Sequence, residues 1–295
     1  MAEPFELMTL DRGPGEGVVV LKLVQEGRDG PRPVVVLDGD LIERLAVTIS
    51  VIPNDARGLV LASDAPRAFV AGADLKSFLS MTDADLDTYL TRGQHVFGQL
   101  CDLNMPTAAA IHGATLGGGF ELAAHCDLLV GCPAAKPYAI GLPEASLGLC
   151  PGWGGTNTLA ARMNAETALR LTATGRTLKV DEARSEGIFD AWPDEPASLI
   201  EVAAEAVASM TSPDRDGAPS RWIGANAEIR ASVAEAVDNM DASSPPAAAV
   251  AACVRSGLRG GWHEALAEER QRLVSLRHTD EAKAAIEAFF AKSKK

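Results

Sequence analysis

The sequence predicts an α/β protein whose C-terminal part is helical. Short β-branched segments bounded by glycine, proline or charged residues alternate with helix-periodic segments in the first half of the chain. Buried strand patterns then flank a glycine-rich junction. After about Asn164 the chain is rich in alanine and carries long helical patterns with almost no strand signal. Alternation of strands and helices is typical of layered α/β folds.

The first elements are predicted from β-branched composition and helical spacing. Val18–Val24, Val34–Leu37 and Gly58–Ser63 are apolar runs that end in turn-forming residues, and we expect them to be strands. Leu41–Ile52 lies between the last two, with apolar residues every four positions. This pattern predicts a helix and a strand, helix, strand order.

The middle of the chain continues this order. Asp83–Leu103 carries an apolar stripe, begins after Thr82 and ends before Pro106, so it is predicted to be a helix. Thr107–Ile111 and Leu128–Val130 are short apolar segments on either side of the glycine-rich junction. We expect both to be buried strands.

The C-terminal region is predicted to consist of helices separated by proline, glycine and aspartate. The expected helices are Ser198–Met210, Ala225–Met240, Pro246–Gly257, Trp262–Leu276 and Glu281–Phe290. Loops are expected at Thr211–Pro219 and Asp241–Pro246. We therefore predict an α/β core over residues 1–195 and a helical region over residues 196–295.

Composition excludes several classes of protein. The 295 residues are 47% hydrophobic and 23% charged, which fits a folded globular chain and not a disordered one. A net charge of −13 argues against a nucleic-acid partner. Neither a membrane-spanning segment nor a signal peptide is predicted, and five cysteines without CxxC spacing indicate reduced, mostly buried thiols. We expect a cytoplasmic protein.

Ala68–Phe78 is the first of three segments that carry chemistry. Its apolar strand end meets Gly72, and a helix is expected to start at Asp74. Glycine at such a turn lets main-chain amides point towards a ligand. The same pattern is common as a purely structural turn between a strand and a helix.

The second segment, Ile111–Asp127, has three consecutive glycines at positions 117–119 that open an apolar helix. Main-chain amides at the start of a helix can stabilise an oxyanion, and Gly118 lies at this start. Glu121 follows three residues later, on a similar side of the helix. Alternatively, Glu121 complements the helix dipole and the glycines permit close packing. The segment lacks the pattern of a phosphate-binding loop.

The third segment, Ala139–Thr156, holds Glu144 directly after Pro143. Its neighbours are largely apolar, which would raise the pKa of the carboxyl group towards a value useful for proton transfer. The alternative is an exposed loop acid. Trp153 in the same segment is expected to pack beside a substrate pocket.

In combination and order, these segments resemble the crotonase family, the enoyl-CoA hydratase and isomerase superfamily. The resemblance covers roughly residues 15–190, including the Pro-Gly-Trp-Gly-Gly-Thr segment that ends at Thr156. It implies a spiral of repeated ββα units and a C-terminal helical region that serves in trimerisation and covers the active site. The chain departs from the family in having Val36–Asp38 where Asn-x-Leu-Asn is usual, and in having Trp153 where a small residue or Phe is more usual.

The resemblance also implies roles for individual residues. The Ala-Gly-Ala-Asp segment would place one oxyanion-hole amide at Ala71, and the glycine triplet would place the other at Gly118. Glu121 and Glu144 fill the positions of the two catalytic glutamates of hydratases. The residues implied in binding the CoA thioester are Ala71, Gly72, Ala73, Asp74 and Gly118.

The sequence therefore predicts an enoyl-CoA hydratase that adds water across the 2,3 double bond of a 2-enoyl-CoA. A Δ3,Δ2-enoyl-CoA isomerase needs only one carboxylate, and other acyl-CoA-processing members would carry other polar residues at these positions. A catalytically inactive scaffold is the alternative from a different class. No metal and no cofactor besides the CoA of the substrate are expected. The resemblance implies a homotrimer or homohexamer, and a 3-hydroxyacyl-CoA dehydrogenase is an expected pathway partner.

Overall fold

The computed structural model describes residues 2–25, 34–213 and 216–293, and these form two sheets surrounded by helices. The strands are β1 (Leu7–Thr9), β2 (Val18–Leu23), β3 (Gly58–Ser63), β4 (Ala68–Val70), β5 (Thr107–Ile111), β6 (Ala114–Leu116), β7 (Leu128–Gly131), β8 (Ala139–Gly141) and β9 (Leu178–Lys179). The larger sheet has the order β1-β2-β3-β5-β7, and the smaller has the order β4-β6-β8-β9.

Twelve α-helices are formed by the described residues. They are α1 (Gly39–Ser50), α2 (Leu75–Ser80), α3 (Asp83–Cys101), α4 (Gly118–Ala124), α5 (Gly155–Thr158), α6 (Ala165–Thr174), α7 (Val180–Ser185), α8 (Leu199–Ser209), α9 (Ala227–Asp238), α10 (Pro245–Gly260), α11 (Trp262–Leu276) and α12 (Asp280–Ser293). None of the described helices is long and apolar enough to cross a membrane.

The strands and helices repeat as ββα units. β3 and β4 precede α2 and α3, β5 and β6 precede α4, and β7 and β8 precede a 3₁₀ helix at Glu144–Leu147. Each unit adds one parallel strand to each sheet, since β3, β5 and β7 are neighbours in one sheet and β4, β6 and β8 are neighbours in the other. The predicted spiral of ββα units is confirmed.

The larger sheet is buried on both faces because its strands alternate between two cores. In β2, Val19 and Leu21 face the main core, whereas Val18 and Val20 pack with α8. Helix α8 supplies apolar residues such as Ala203 to this second core. Strands covered on both faces are expected to be apolar almost throughout, as these are.

One predicted strand is wrong. Of Val34–Leu37, only Leu37 forms a bridge, to Ala73. The main chain of this segment is bonded irregularly, because the N–H of Val36 donates to the side chain of Gln25 at 2.9 Å and the carbonyl of Val35 accepts from Ala71. The segment therefore runs alongside the turn that follows β4 without forming a regular ladder.

The C-terminal helices pack on the core and on each other. Helix α11 has the predicted limits, and the other predicted C-terminal helices are present with ends shifted by up to three residues. The predicted loop 211–219 includes residues 214 and 215, which lie outside the described residues. Helix α11 packs against α10 and α3, and α12 lies beside the 3₁₀ helix. All five cysteines are buried, in agreement with the predicted mostly buried thiols.

Candidate active site

A cavity of about 270 Å³ lies where the carboxyl ends of β4 and β6 meet the 3₁₀ helix, α11 and α12. Its walls are largely apolar and include Trp153, Leu273 and Phe289. Two carboxyl groups, those of Glu121 and Glu144, also line it. An apolar cavity with a few convergent polar groups is typical of a small-molecule site.

Two adjacent glycine turns shape one wall of this cavity. Gly72 follows β4 with a φ of +110°, and Gly117 follows β6 with a φ of +53°. Both values lie in the region that favours glycine. The turns touch, since a Cβ on Gly72 would lie 3.1 Å from the carbonyl oxygen of Leu116. The residues that follow the two glycines, Ala73 and Gly118, thus stand at the ends of neighbouring parallel strands.

The amide predicted at Ala71 is not available to a ligand, which corrects the sequence prediction. Its N–H donates to the carbonyl oxygen of Val35 at 2.8 Å. In the part of the chain that the structure describes, no group accepts a hydrogen bond from the N–H of Ala73 or from that of Gly118. Both residues line the cavity. The pair of open amides is therefore Ala73 with Gly118.

Gly118 has no room for a side chain. A Cβ there would collide with the indole ring of Trp153 and would lie 3.0 Å from Leu37. The indole is fixed in place because its N–H donates to the carbonyl oxygen of Leu90, on α3, at 3.0 Å. Trp153 lies beside the cavity as expected from the sequence, and it closes the space behind the Gly118 amide.

Glu121 lies in the first turn of α4 and is 1% exposed. Its Oε1 accepts hydrogen bonds from the main-chain N–H groups of Trp153, at 2.7 Å, and Gly155, at 2.9 Å. Burial raises its pKa well above the ordinary value, with further contributions from the charges of Glu269 and Glu144, while the two amide donors oppose this rise.

Glu144 begins the 3₁₀ helix and is half-buried, so the alternative of an exposed loop acid does not hold. A Cβ on Gly117 would lie 2.5 Å from its Oε1, which puts the carboxyl group directly beside the glycine turn. Among the described residues no partner takes its buried Oε2. Burial, with a contribution from Glu269, raises the pKa of Glu144 to about 8.

The structure adds Glu269, which sequence reasoning missed. This residue is on α11, is fully buried, and bonds the main chain of the loop that follows Trp153. In the sequence it is one of several charged residues of a polar helix, Glu264 to Arg272, and nothing local marks it as buried. Only the packing of α11 against α5 and α3 brings it beneath the cavity.

The remaining predicted site residues divide into two groups. Gly72 and Ala73 line the cavity together with Ala71 and Gly118. Asp74 instead caps α2, where its carboxylate accepts from the N–H of Lys76 and the hydroxyl of Ser77. Its side chain thus contributes to the turn that presents Ala73. Within the described ranges, no group of three or more His, Cys, Asp or Glu residues is arranged to hold a metal ion.

The fold and the site define a protein of the enoyl-CoA hydratase/isomerase class. A model of the enoyl-CoA hydratase/isomerase family matches residues 15–219. The chain therefore belongs to this family.

Curated relatives are similar over most of this chain. The chain is 33% identical to the fatty acid oxidation complex subunit alpha of Aliivibrio fischeri over 80% of its own length and 35% of the relative's, and 32% identical to that of Vibrio cholerae over 85% and 36%. It thus spans about a third of the length of these curated relatives.

Two solved structures share the fold at low identity. Human mitochondrial Δ3-Δ2-enoyl-CoA isomerase superposes with a TM-score of 0.66 at 21% identity, over 98% of both chains. An enoyl-CoA hydratase from Geobacillus kaustophilus superposes with a TM-score of 0.61 at 22% identity, over 99% of this chain and 95% of the other.

Proposed function

We propose that this chain is an enoyl-CoA hydratase, which adds water across the 2,3 double bond of a 2-enoyl-CoA thioester. The observation that carries the proposal is that two main-chain N–H groups without an acceptor and two carboxyl groups line one apolar cavity in the described part of the chain. Hydration of an enoyl thioester requires both kinds of group. Membership of the enoyl-CoA hydratase/isomerase family supports the choice of substrate class.

The amides of Ala73 and Gly118 would bind the thioester oxygen. Attack at C3 moves electrons towards this oxygen, and two N–H donors stabilise the charge as it develops. Each such donor typically contributes about 10²–10³ in rate. Because these amides belong to glycine turns on adjacent strands, they are fixed before substrate binds.

The two glutamates would then divide the proton transfers. Burial favours the protonated form of both carboxyl groups, but only Glu121 is held by two amide N–H donors that favour the ionised form, so we assign Glu121 as the base. The Oε2 of Glu144 is buried, and with a pKa of about 8 this carboxyl group holds a proton at neutral pH. The oxygen of water bonds to C3 as its proton passes to Glu121, and C2 receives the proton of Glu144. These transfers add one water to the thioester and leave Glu121 protonated and Glu144 ionised. A proton then passes from Glu121 to Glu144, directly or through solvent, before the next turnover.

An isomerase remains the main alternative, because the family includes isomerases and the human isomerase shares the fold. Moving a double bond from C3 to C2 requires one carboxylate to carry one proton. Two carboxyl groups in the cavity therefore favour hydration.

A direct assay separates these functions. Purified protein is given crotonyl-CoA, and the loss of enoyl-thioester absorbance is followed while the product is identified by mass. A hydratase consumes crotonyl-CoA and yields the 3-hydroxy thioester. An isomerase instead converts a 3-enoyl-CoA to the conjugated isomer, and an inactive scaffold changes neither substrate. Failure to hydrate crotonyl-CoA and longer 2-enoyl-CoA thioesters would overturn the proposal.

The likeness to fatty acid oxidation subunits supports a role in fatty acid oxidation. The 3-hydroxyacyl-CoA product would then pass to a 3-hydroxyacyl-CoA dehydrogenase. We also propose that the chain assembles as a homotrimer or homohexamer through its helical C-terminal region. Sedimentation equilibrium tests this, since a single species at the monomer mass would exclude it.

A further inference from the structure

Four successive main-chain N–H groups, those of residues 153–156, are divided between two buried carboxylates. Trp153 and Gly155 donate to Oε1 of Glu121 at 2.7 and 2.9 Å. Gly154 donates to Oε2 of Glu269 at 2.5 Å, and Thr156 donates to its Oε1 at 3.0 Å. The hydroxyl of Thr156 also donates to Oε1 of Glu269. The partners alternate along the segment, which we call the shared loop (residues 153–156).

The geometry of the shared loop depends on the main-chain conformation of Gly154 and on the carboxyl groups of Glu121 and Glu269. Gly154 has a φ of +100°, which favours glycine and turns successive N–H groups to opposite sides. A buried N–H without an acceptor is costly, so each carboxylate satisfies two donors that otherwise have none. Removing either acid releases two amides, and the segment then loses the geometry that the other acid needs.

The helix that carries Glu269 is firmly attached to the core. Gln94 of α3 donates to the carbonyl oxygens of Gly152 and Leu266, both at 2.9 Å. Arg270, next to Glu269, donates to Gln94 and Asp87 of α3, both at 2.7 Å. The position of Glu269 is therefore set by α3 and α11 and not by the shared loop itself.

We infer that Glu269 is a positioning residue for the reaction proposed above: it holds the shared loop so that Trp153 and Gly155 direct the carboxylate of Glu121 into the cavity. The inference rests on the proposed function for the identity of the reaction. Glu269 does not line the cavity, so its action passes through Glu121.

Glu269 also sets the electrostatic surroundings of both cavity acids. The titratable groups that face this cluster are Glu121 of α4, Glu144 of the 3₁₀ helix, Tyr89 of α3, Cys150 before the shared loop, and Cys253 of α10. Burial raises the pKa of Cys150 and Tyr89, and burial together with a hydrogen bond to Cys150 raises that of Cys253, so these three stay neutral. Burial is the largest cause of the raised pKa of Glu121 and of Glu144, and the charge of Glu269 adds to it. Burial also raises the pKa of Glu269 itself, against the hydrogen bonds from Thr156 and from the amide of Gly154 that favour its charged form.

Two substitutions distinguish the effect of where the Glu269 side chain lies from the effect of its charge. Glu269→Gln removes the charge and turns one amide N–H towards an N–H of the shared loop. We expect kcat for crotonyl-CoA to fall about 10²-fold, with KM little changed. The limb of the pH profile that Glu144 sets should move to lower pH, because a like charge has been removed. Glu269→Asp keeps the charge but shortens the side chain, so kcat should fall while the limbs stay in place.

Glu268→Gln is the matched control. Glu268 is the preceding residue of α11 and pairs with Arg272 at the surface, so its loss should leave kcat and the pH profile unchanged. Wild-type kcat in either Glu269 variant would overturn the inference. So would a Glu269→Gln variant whose pH limbs match those of Glu269→Asp, because Glu269 would then serve stability alone. If Glu269→Gln does not fold, kcat and KM of Glu269→Asp, with its fold checked by circular dichroism, decide the matter.

A measurement that does not depend on turnover distinguishes a failure of the proposed function from a failure of the inference about Glu269. Carboxyl titration of ¹³C-labelled glutamate in the ligand-free protein reports the pKa of Glu144 directly. Glu269→Gln should lower this pKa, and Glu268→Gln should not. If wild-type protein fails to hydrate any enoyl-CoA but the pKa of Glu144 falls as expected, the proposed function is wrong and the arrangement around Glu269 stands. An unchanged pKa in an active enzyme overturns the inference alone.

Discussion

The N–H of Ala71 donates to the carbonyl oxygen of Val35 at 2.8 Å, so the first residue of the Ala-Gly-Ala-Asp segment is bound to its own protein. Two residues later, the N–H of Ala73 opens into the cavity beyond the Gly72 turn. A strand alternates the direction of its N–H groups, and the glycine turn then changes which one faces the ligand. The Gly72 turn therefore determines that the N–H of Ala73, and not that of Ala71, faces the cavity.

The first prediction tests this assignment atom by atom. Replacing residue 73 by the α-hydroxy acid counterpart of alanine changes its N–H to an ester oxygen and leaves the side chain intact. We expect kcat for crotonyl-CoA to fall about 10²–10³-fold, since one oxyanion donor is lost. The same replacement at residue 71 removes only the bond to Val35 and should cost much less activity. A larger loss at 71 than at 73 would return the oxyanion role to Ala71.

The second prediction concerns the two cavity glutamates. Glu121→Gln and Glu144→Gln should each lower kcat for hydration by about 10²–10⁴, the usual contribution of a positioned acid or base. Binding of a saturated acyl-CoA, measured by calorimetry, should change little, because the amides hold the thioester. Glu205→Gln, an exposed acid on α8, serves as the control. Wild-type turnover in either cavity variant would contradict the two-glutamate mechanism.

The third prediction follows from the pKa of about 8 for Glu144. Its proton is present below this pH, so kcat should decline as pH rises through about 8. The free energy of unfolding should likewise decrease as pH rises. A carboxyl group whose pKa is raised on folding stabilises the protein fully below its unfolded pKa of about 4.3, and this contribution is lost as pH rises through about 8. Urea midpoints measured from pH 5 to pH 9 should therefore fall more steeply for wild type than for Glu144→Gln.

The fourth prediction compares two glycines of α3. A Cβ on Gly93 would collide with the indole of Trp153, so Gly93→Ala should destabilise the protein by about 1–3 kcal/mol. Gly98 has no neighbour within 4 Å of its Cβ position, and Gly98→Ala should be neutral or stabilising by up to about 1 kcal/mol. Denaturant unfolding of both variants measures the difference. Equal effects would show that Trp153 yields to the new methyl group.

The sequence was sufficient for the elements whose own residues determine them. Helix α3 follows from its apolar stripe and from Thr82, which forms a capping box with Asp85. The β3 and β5 strands follow from short apolar runs, because both faces are covered. The positions of Glu121 and Glu144 beside one cavity were likewise predicted from glycine turns and from resemblance.

What the sequence could not provide depends on contacts between distant segments. Strands of two or three residues, such as β8 and β9, are too short for a periodic pattern and form because partners lie beside them. The bond from Ala71 to Val35 spans 36 positions. Glu269 is more than a hundred residues from the loop it bonds, so no local signal distinguishes it from the exposed acids of α11.

The fifth prediction concerns a buried cation beneath α4. Arg162 is fully buried, donates to the carbonyl oxygens of Ala124, at 3.2 Å, and Cys126, at 2.8 Å, and pairs with Asp190 at 3.4 Å. Burial lowers its pKa to about 10, so it is charged at neutral pH and depends on Asp190 for neutralisation.

Asp190→Ala leaves that cation buried without its partner, and it also removes the acceptor for the N–H of Leu129 and the partner that Arg221 contacts at 2.6 Å. We expect a loss of about 3–5 kcal/mol in the free energy of unfolding, the usual cost of breaking a buried pair from one side. Asp238→Ala is the control, because its pair with Arg255 is exposed and 3.7 Å long, and it should change stability by less than about 0.5 kcal/mol. Similar losses in the two variants would mean that the carbonyl oxygens at the end of α4 stabilise the charge of Arg162 without Asp190. The bonds from Arg162 to these carbonyl oxygens would then be the main anchor of α4, the helix that carries Glu121.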